Sequence, residues 1–291
     1  MKGNNLQNLM GGLPLELSYL TDLVQLILSK NYIDGSIPSN FFSKLTNLHT
    51  LYLDENFFTG QLPNDFHNLI SLQNLAVHDN TFHGPIPDSI QFASNLVDIR
   101  LQNNQFKGTL PDNFFNNMSN LRVFLAGKNR LEGTIPSSLS STSSALTSVQ
   151  LHKNNLRGTI PDFKKSTQLR QLHLDHNGLL EGPIPDLSPS IEELRLEHNS
   201  FNGTVPTSFG TECTNLDILW LNNNFFTGTI PIELGNLTKL VTLKLGRNSF
   251  HGSVPSEICM LRQSSAELSN FTAIDCIIDN DDENNNNIRQ P

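Results

Sequence analysis

The feature that most constrains this chain is an asparagine that returns about every 24 residues within the same local sequence. In the segment "LHTLYLDENFFTGQLP", which begins at Leu48, apolar residues precede Asn56 by eight, five and three positions. The same frame occurs ten times, with its asparagines at Asn31, Asn56, Asn80, Asn104, Asn129, Asn154, Asn177, Asn199, Asn224 and Asn248. Repetition along most of the 291 residues predicts stacked units that share one elongated core, rather than separate globular domains.

Each position of this frame has a structural reason. The apolar residues before the asparagine, such as Leu48, Leu51 and Leu53, are expected to point inward from a short strand and its approach. The asparagine amide can bond backbone groups of neighbouring turns that would otherwise be buried without partners. Two residues later a second apolar residue recurs, and we interpret this set as a spine that takes up most of the 18 phenylalanines. At Asn177 one extra residue moves this position to Leu180, and we expect the turn to bulge while the sheet continues.

A glycine and a proline follow in register in every repeat, as Gly133 and Pro136 do after Asn129. Glycine permits backbone angles or close approaches that other residues disfavour, and proline fixes the backbone where the outer segment starts. The segment after each proline, such as "PIELGNLTKL" from Pro231, predicts a short helical or 3₁₀ turn. The frame therefore predicts a parallel sheet of about ten strands on one side and short helical segments on the other.

Both ends of the chain depart from the frame. We divide the chain into a partial N-terminal repeat (1–22), a repeat solenoid (23–258), a degenerate capping repeat (259–278) and a tail (279–291). In the capping repeat, Cys276 takes the position of the asparagine. The tail contains "DNDDENNNN" and is expected to be disordered, because it has almost no apolar residues to bury.

The frame LxxLxLxxNxFxGxIP resembles the plant-specific subclass of leucine-rich-repeat proteins, over roughly residues 6–258, and the Gly-x-Ile-Pro element distinguishes that subclass. This family includes ectodomains of receptor-like kinases, receptor-like proteins without kinases, and secreted inhibitors of cell-wall-degrading enzymes. The resemblance implies an α/β repeat fold, a right-handed superhelical arc whose concave parallel sheet binds ligands outside the cell. The chain departs from the family pattern in lacking a paired-cysteine N-terminal cap, a membrane span and a kinase domain.

Charge and composition exclude several classes of protein. The formal net charge of −9 and an isoelectric point near 5.4 argue against a general nucleic-acid binder, which needs a basic surface. No apolar run approaches the roughly 18 residues that a membrane-spanning helix requires. The three cysteines, Cys213, Cys259 and Cys276, form neither a disulfide framework nor a metal motif.

The expected concave face carries the candidate ligand contacts. Strand side chains alternate between two faces, so the residues four, two and one before each asparagine should lie on it. The candidate contacts combine aromatic and cationic side chains: Tyr52, Arg100, Arg122, Lys153, Arg170, His173, Arg195, Trp220 and Lys244. An exposed tryptophan or tyrosine beside an arginine is a typical binding anchor, although neutral surface variation remains the alternative. The positive residues are followed by Glu192, Glu193 and Glu197, which predicts a bipolar face that could orient a charged ligand.

Other functions have weaker support in the sequence. Histidine and acidic residues on adjacent turns could bind a metal ion or respond to pH: His173, Asp175, His176, Glu197 and His198. No compact metal motif, catalytic triad or phosphate loop accompanies them, so we expect neither a metal or other cofactor nor an enzyme. Five threonines that follow the motif glycine resemble the rows of ice-binding solenoids: Thr109, Thr134, Thr159, Thr204 and Thr229. We expect them instead to stabilise a second short sheet, since Ser36, Gln61, Pro85 and Pro183 interrupt the row.

The favoured function is non-enzymatic recognition of a protein, peptide or glycan by a receptor-like or secreted module. The alternative is an intracellular scaffold that binds a protein partner through the same face. Family resemblance implies an extracellular or cell-surface location for a chain truncated at its N-terminus, whereas a true start at Met1 would indicate the cytoplasm. Sequons that permit glycosylation in a secretory setting stand at Asn117, Asn202, Asn236 and Asn270.

Overall fold

The strands of the protein alternate between two positions within each repeat. The structure, a computed structural model, describes residues 8–141 and 143–261. Its strands, in chain order, are β1 (Met10–Gly12), β2 (Gln25–Ile27), β3 (Tyr32–Ser36), β4 (Thr50–Tyr52), β5 (Phe57–Thr59), β6 (Asn74–Ala76), β7 (His83–Gly84), β8 (Asp98–Arg100), β9 (Gln105–Thr109), β10 (Val123–Leu125), β11 (Arg130–Gly133), β12 (Ser148–Gln150), β13 (Asn155–Gly158), β14 (Gln171–His173), β15 (Leu179–Gly182), β16 (Glu193–Arg195), β17 (Ser200–Gly203), β18 (Ile218–Trp220), β19 (Phe225–Phe226) and β20 (Thr242–Lys244).

The even-numbered strands form one parallel sheet of ten strands, which we call the concave sheet. Each strand pairs in register with the strand of the next repeat, and its middle residue is buried in the core: Leu26, Leu51, Leu75, Ile99, Phe124, Val149, Leu172, Leu194, Leu219 and Leu243. The predicted continuous sheet is confirmed. It also continues across the repeat of Asn177, where β14 pairs with β16, and the extra residue after this asparagine lies in the turn with Gly178 at a φ of +72°.

The odd-numbered strands form a second layer of parallel pairs beside the concave sheet. Strands β1, β3 and β5 make a three-stranded sheet, and the seven strands from β7 to β19 make another. The glycine at the end of the motif lies in or beside these strands with a positive φ, which is +79° for Gly133. The sequence prediction that the threonine row belongs to a second short sheet is consistent with this layer, since Thr109 closes β9.

Short helical segments cover the side opposite the concave sheet. In the described part of the chain, four are 3₁₀ helices, Leu15–Tyr19, Phe66–Asn68, Asp88–Phe92 and Ile232–Asn236, and three are α-helices, α1 (Ser137–Ser141), α2 (Ser208–Thr211) and α3 (Ser256–Met260). Several of them begin directly after a motif proline with an extended backbone: Pro14, Pro87, Pro231 and Pro255. These segments confirm the prediction of short 3₁₀ or helical turns on the convex side.

Two groups of phenylalanines fill the core. The spine group stacks from repeat to repeat, with ring centroids 5.7–6.4 Å apart: Phe58, Phe82, Phe106, Phe201, Phe226 and Phe250. A second group is buried beneath the convex segments: Phe41, Phe42, Phe66, Phe114, Phe115, Phe163 and Phe209. The prediction that the spine takes up most of the 18 phenylalanines was therefore wrong, because the convex segments need an apolar anchor of their own.

Most of the predicted capping repeat and the whole predicted tail lie outside the described residues. The tail at 279–291 and Asn270 lie wholly beyond the described residues, and only residues 259–261 of the expected capping repeat are within them. The other three sequon residues, Asn117, Asn202 and Asn236, are exposed. Within residues 8–141 and 143–261, no helix combines the length and apolar character that crossing a bilayer would demand.

Candidate ligand-binding face

The chain turns away from the concave sheet at a residue with left-handed backbone geometry. The residue immediately before each repeat asparagine has a φ between +52° and +59°: Lys30, Glu55, Asp79, Asn103, Lys128, Lys153, His176, His198, Asn223 and Arg247. This conformation costs a residue other than glycine about 1–2 kcal/mol, so neighbouring contacts must hold it in place. It sets these mostly exposed polar side chains along one rim of the concave face, next to the ends of the strands.

Trp220 lies at the centre of a cluster of aromatic and charged side chains on this face. Its ring lies between two cations, with Arg195 Cζ 4.6 Å and Lys244 Nζ 3.8 Å from the ring centroid. The arrangement follows from register, because Arg195 of β16, Trp220 of β18 and Lys244 of β20 are paired positions. Stacking of this kind is worth about 0.5–2 kcal/mol per cation, depending on its exposure to water. We expected Trp220 and Arg195 to point to solvent, but both are only partly exposed because they cover one another.

Glu193 holds the cationic side of this cluster in position. Its Oε2 accepts a hydrogen bond from Arg195 Nη2 at 3.0 Å and lies 3.0 Å from Nε2 of His173. Its Oε1 accepts a hydrogen bond from Gln171 Nε2 at 2.9 Å. Burial works to raise the pKa of Glu193, but the hydrogen bond from Gln171 and the charges of His173 and Arg195 bring the pKa below its ordinary value. The carboxylate is thus kept ionised, as the counterion of the arginine.

His173 was predicted to be an exposed contact, but the structure buries it. The residue is 7% exposed, and burial lowers the pKa of its imidazole. Its ring lies between Glu193 and the ring of His152, whose centroid is 6.5 Å away. His173 therefore shapes the floor of the face beside Arg195, instead of presenting a free side chain.

The remaining candidate contacts do not join the tryptophan cluster. Tyr52 of β4 and Arg100 of β8 lie on the N-terminal half of the sheet, with the strand of Ala76 between them. Arg122 and Lys153 are exposed on the central repeats. The structure thus brings together only the C-terminal part of the predicted set.

The predicted division into a positive and an acidic half is weaker in the structure. Arg100 forms a two-pronged hydrogen bond with Asp98, at 2.9 Å from Nη2 and 2.9 Å from Nε. Arg170 pairs with Glu192 of the next repeat. Two of the expected positive charges are therefore neutralised by neighbouring carboxylates. For Arg100 the reason is that the first residue of β8 shares the concave face with the third.

Further polar residues at the first strand position, which the candidate contacts did not include, also lie on this face. Gln171 and Ser148 extend the Glu193 network, since Ser148 Oγ donates to Gln171 Oε1 at 3.1 Å. Asp217, directly before β18, has a buried Oδ1 without a hydrogen-bond partner among the described residues, and burial raises its pKa. The two-residue alternation of strand side chains would have identified Gln171 and Ser148, because the residue six before each asparagine lies on the same face as the residue four before it.

Among the residues that the structure describes, two groups of side chains could hold a metal ion. Asp175, His176 and Glu197 form one group, and the other consists of Asp54, Glu55 and His78; within each group the potential ligand atoms lie within 4.8 Å of one another. Both groups occupy the rim of the concave face, at the two positions before the repeat asparagine. The first contains three of the residues that the sequence suggested as a metal cluster.

Comparison with known proteins agrees with this architecture. The model of the leucine-rich repeat matches four segments of the chain, 47–69, 95–117, 190–211 and 215–237. Osteomodulin of Rattus norvegicus is 35% identical over 115 residues, which is 38% of this chain and 26% of that protein. The chain thus spans about a quarter of the curated relative that it matches.

Solved structures with the same fold include several plant proteins. A structure described as PEPR1-AtPEP1 has a TM-score of 0.75 at 33% identity, covering 87% of this chain and 39% of that one. The Arabidopsis receptor kinase HAESA, in complex with the peptide hormone IDA and the co-receptor SERK1, has a TM-score of 0.73 at 30% identity, covering 88% and 47%. A plant ice-binding protein has a TM-score of 0.69 at 25% identity, covering 86% and 81%.

Proposed function

We propose that this chain, which is built of leucine-rich repeats, is a non-enzymatic recognition module that binds a protein or peptide ligand on its concave face. The observation that carries the proposal is Trp220 between Arg195 and Lys244 on three consecutive strands. Tryptophan and arginine are the side chains that most often dominate binding energy at interfaces. The similar solved structures include a peptide hormone receptor in complex with RGF2 and a receptor kinase in complex with IDA, which supports a peptide ligand and a place outside the cell.

The cluster favours a ligand segment that carries a carboxylate. Lys244 forms no ion pair within the described residues, and Arg195 shares its single carboxylate partner with His173. Arg195 Nε and Trp220 Nε1 are buried donors that have no acceptor among the described residues. A carboxylate beside the tryptophan would accept a hydrogen bond from the ammonium of Lys244 and neutralise its charge. An intracellular scaffold that binds a protein through the same face would use the same contacts.

Selection of peptides from a random phage-displayed library on the intact chain tests this proposal. We expect enrichment of acidic peptides, and at least tenfold weaker binding of these peptides to the Trp220→Ala/Arg195→Ala variant, since loss of two anchors exceeds about 1.4 kcal/mol. A convex pair, Lys164→Glu with Lys165→Glu, serves as the matched control, because both lysines are exposed on the opposite side. Thermal melts of both variants check that each is folded.

The opposite pattern would overturn the assignment of the site. If the convex pair weakens binding and the concave pair does not, the ligand lies on the outer surface. A library that yields no peptide above background would contradict peptide recognition itself.

Ice binding is the function that the similar plant ice-binding protein suggests, and the threonine row would have to carry it. In the structure the threonine methyl groups lie over the glycine of the following repeat. A Cβ added at Gly133 would be 2.7 Å from Thr109 Cγ2, and one added at Gly182 would be 2.9 Å from Thr159 Cγ2. This packing accounts for the threonines, so we do not propose ice binding.

A further inference from the structure

Two acidic and two histidine side chains meet where strands β14 and β16 end. Asp175 and Glu197 occupy the same position in consecutive repeats, and His176 and His198 follow them directly. Both histidines have a φ of +56°, so the chain turns identically at each and sets their rings side by side. The two rings stack with centroids 4.3 Å apart and an interplanar angle of 26°. The turn geometry of the repeat thus assembles this group from residues that are 22 positions apart.

Glu197 is the member of this group that lacks a partner. The residue is only 7% exposed, and its Oε2 is buried without a hydrogen-bond partner among the described residues. Asp175 beside it is 8% exposed. A buried carboxylate beside another carboxylate is costly unless a cation or hydrogen-bond donor compensates it.

The other residues of the group do not supply that compensation. Nδ1 of His176 lies 2.9 Å from Asp175 Oδ2, so the imidazole already contacts one of the two carboxylates. No lysine or arginine of the described residues forms an ion pair with Asp175 or Glu197. The group therefore combines two buried carboxylates and one imidazole, with no fixed positive charge in contact with them.

We propose that Asp175, His176 and Glu197 bind a divalent transition-metal ion of the Zn²⁺ type. The potential ligand atoms lie within 4.8 Å of one another. Ligand atoms of a tetrahedral zinc ion are about 3.4 Å apart, given bond lengths of about 2.0–2.2 Å, so side-chain rotations that bring these atoms up to about 1.4 Å closer would close the site. One imidazole nitrogen with two carboxylate oxygens suits zinc and its neighbours, whereas calcium prefers six to eight oxygen ligands. His198 acts as a positioning residue, because its ring stacks on that of His176.

The second group of potential metal ligands, which consists of Asp54, Glu55 and His78, is not proposed as a metal site. Around Asp54, Glu55 and His78 the carboxylates have partners: Ser29 Oγ donates to Asp54 Oδ1 at 2.7 Å, and Lys30 Nζ lies 3.4 Å from Glu55 Oε1. A cation there would have to compete with a lysine already in place. That group has the same positions in the repeat and similar residues, which makes it an internal control.

Calorimetric titration of the full chain with ZnCl₂ at neutral pH tests the proposal. We expect one saturable site, and at least tenfold weaker binding after Glu197→Gln or His176→Ala. Asp54→Asn is the matched control and should leave zinc affinity within twofold of the wild type. Glu197→Gln replaces the unpartnered carboxylate by a neutral group of the same shape, so it should fold, and circular dichroism melts check this for every variant.

A melting-temperature readout separates the site from loose binding to surface histidines. Zinc should raise the melting temperature of the wild type and of Asp54→Asn, because a ligand that binds the folded state stabilises it. It should not raise that of Glu197→Gln. The absence of saturable zinc binding to the wild type would overturn the proposal. Equal losses in Asp54→Asn and Glu197→Gln, or saturable binding of Ca²⁺ in preference to Zn²⁺, would also overturn it.

Discussion

The repeat asparagine joins three successive parts of the backbone through one side chain. In Asn129, Nδ2 donates to Leu101 O of the preceding repeat at 3.0 Å and to Ala126 O of its own turn at 3.1 Å. Its Oδ1 accepts from the backbone N–H of Phe106 at 3.0 Å. The same pattern recurs in the later repeats, as with Asn154 and Asn224. These bonds satisfy buried groups at the turn where the preceding residue adopts left-handed geometry.

Replacing Asn129 by alanine should lower the free energy of unfolding by about 1–3 kcal/mol. The variant leaves the N–H of Phe106 and the carbonyl of Leu101 without their hydrogen-bond partner in a largely buried turn. The expected loss is the free energy that a buried polar group costs when its hydrogen bond is not made. Urea denaturation of the wild type and the variant measures the difference. Asn113→Ala, at an exposed position of a convex segment, is the matched control and should change stability by less than about 0.5 kcal/mol. Equal stability of Asn129→Ala and the wild type would show that the asparagine ladder, meaning the row of repeat asparagines with these hydrogen bonds, is not required for stability.

At this scale the sequence predicts the backbone role of a residue better than its surface contacts. The asparagine ladder follows from a fixed position in a repeat, where geometry leaves the amide one set of partners. The exposure of His173 and the neutralisation of Arg170 depend instead on side-chain rotations relative to Glu193 and Glu192, which belong to the next repeat. Nothing in the frame constrains those residues, so their pairing could not be deduced from spacing alone.

The outer strand layer is stabilised by contact between small residues of neighbouring repeats. The methyl group of Thr109 lies over Gly133, and those of Thr134, Thr204 and Thr229 occupy the same place against the following glycine. The glycine is required twice over, because its φ is +79° at Gly133 and a side chain there would meet the threonine. The strand pairing of β9 with β11 depends on this close approach.

Gly133→Ala should destabilise the protein more than Gly178→Ala. Both glycines have a positive φ, +79° and +72°, which costs alanine about 1–3 kcal/mol. Only at Gly133 would the new Cβ overlap a neighbour, Thr109 Cγ2 at 2.7 Å, whereas the described residues place no heavy atom within 4 Å at Gly178. Urea denaturation should show an additional loss of about 1–3 kcal/mol from this overlap. Adding Thr109→Ser to Gly133→Ala should remove most of that excess; an unchanged excess would place its origin elsewhere.

The elements that the sequence predicted well are those with strict spacing. The concave strands, the proline-led convex turns and the spine recur at fixed distances from the asparagine, except after Asn177, where one extra residue shifts the spine and the proline. Four phenylalanines of the convex segments also keep one spacing, ten residues after the asparagine of their repeat: Phe41, Phe66, Phe114 and Phe209. Phe42, Phe115 and Phe163 do not. The ten-residue spacing could have predicted the burial of the first four rings, whereas the burial of the other three is visible only in the structure.

On the scale of the whole molecule, every strand pairs only with strands of adjacent repeats. In the concave sheet β8 contacts β6 and β10, and β18 contacts β16 and β20. No strand pairing links distant repeats within the described chain. The free energy of unfolding of such a solenoid is close to a sum of contributions from each repeat and from each interface between neighbouring repeats. A mutation that destabilises one repeat should therefore affect its neighbours most and distant repeats least. The same arrangement allows the repeats that hold Trp220 to stay folded while distant repeats open.

Phe106→Ala should therefore weaken the protein locally rather than uniformly. Phe106 is fully buried and stacks on Phe82 at 6.2 Å, and truncation of such a side chain costs roughly 3–5 kcal/mol. Hydrogen exchange followed by mass spectrometry should show the largest loss of protection in the repeats of β7, β9 and β11, and a much smaller loss near β18 and β20. Phe226→Ala, in an equivalent stack with Phe201 and Phe250, should produce the reverse distribution. If both variants instead lose protection equally along the whole chain, the solenoid unfolds as a single cooperative unit and the nearest-neighbour description is wrong.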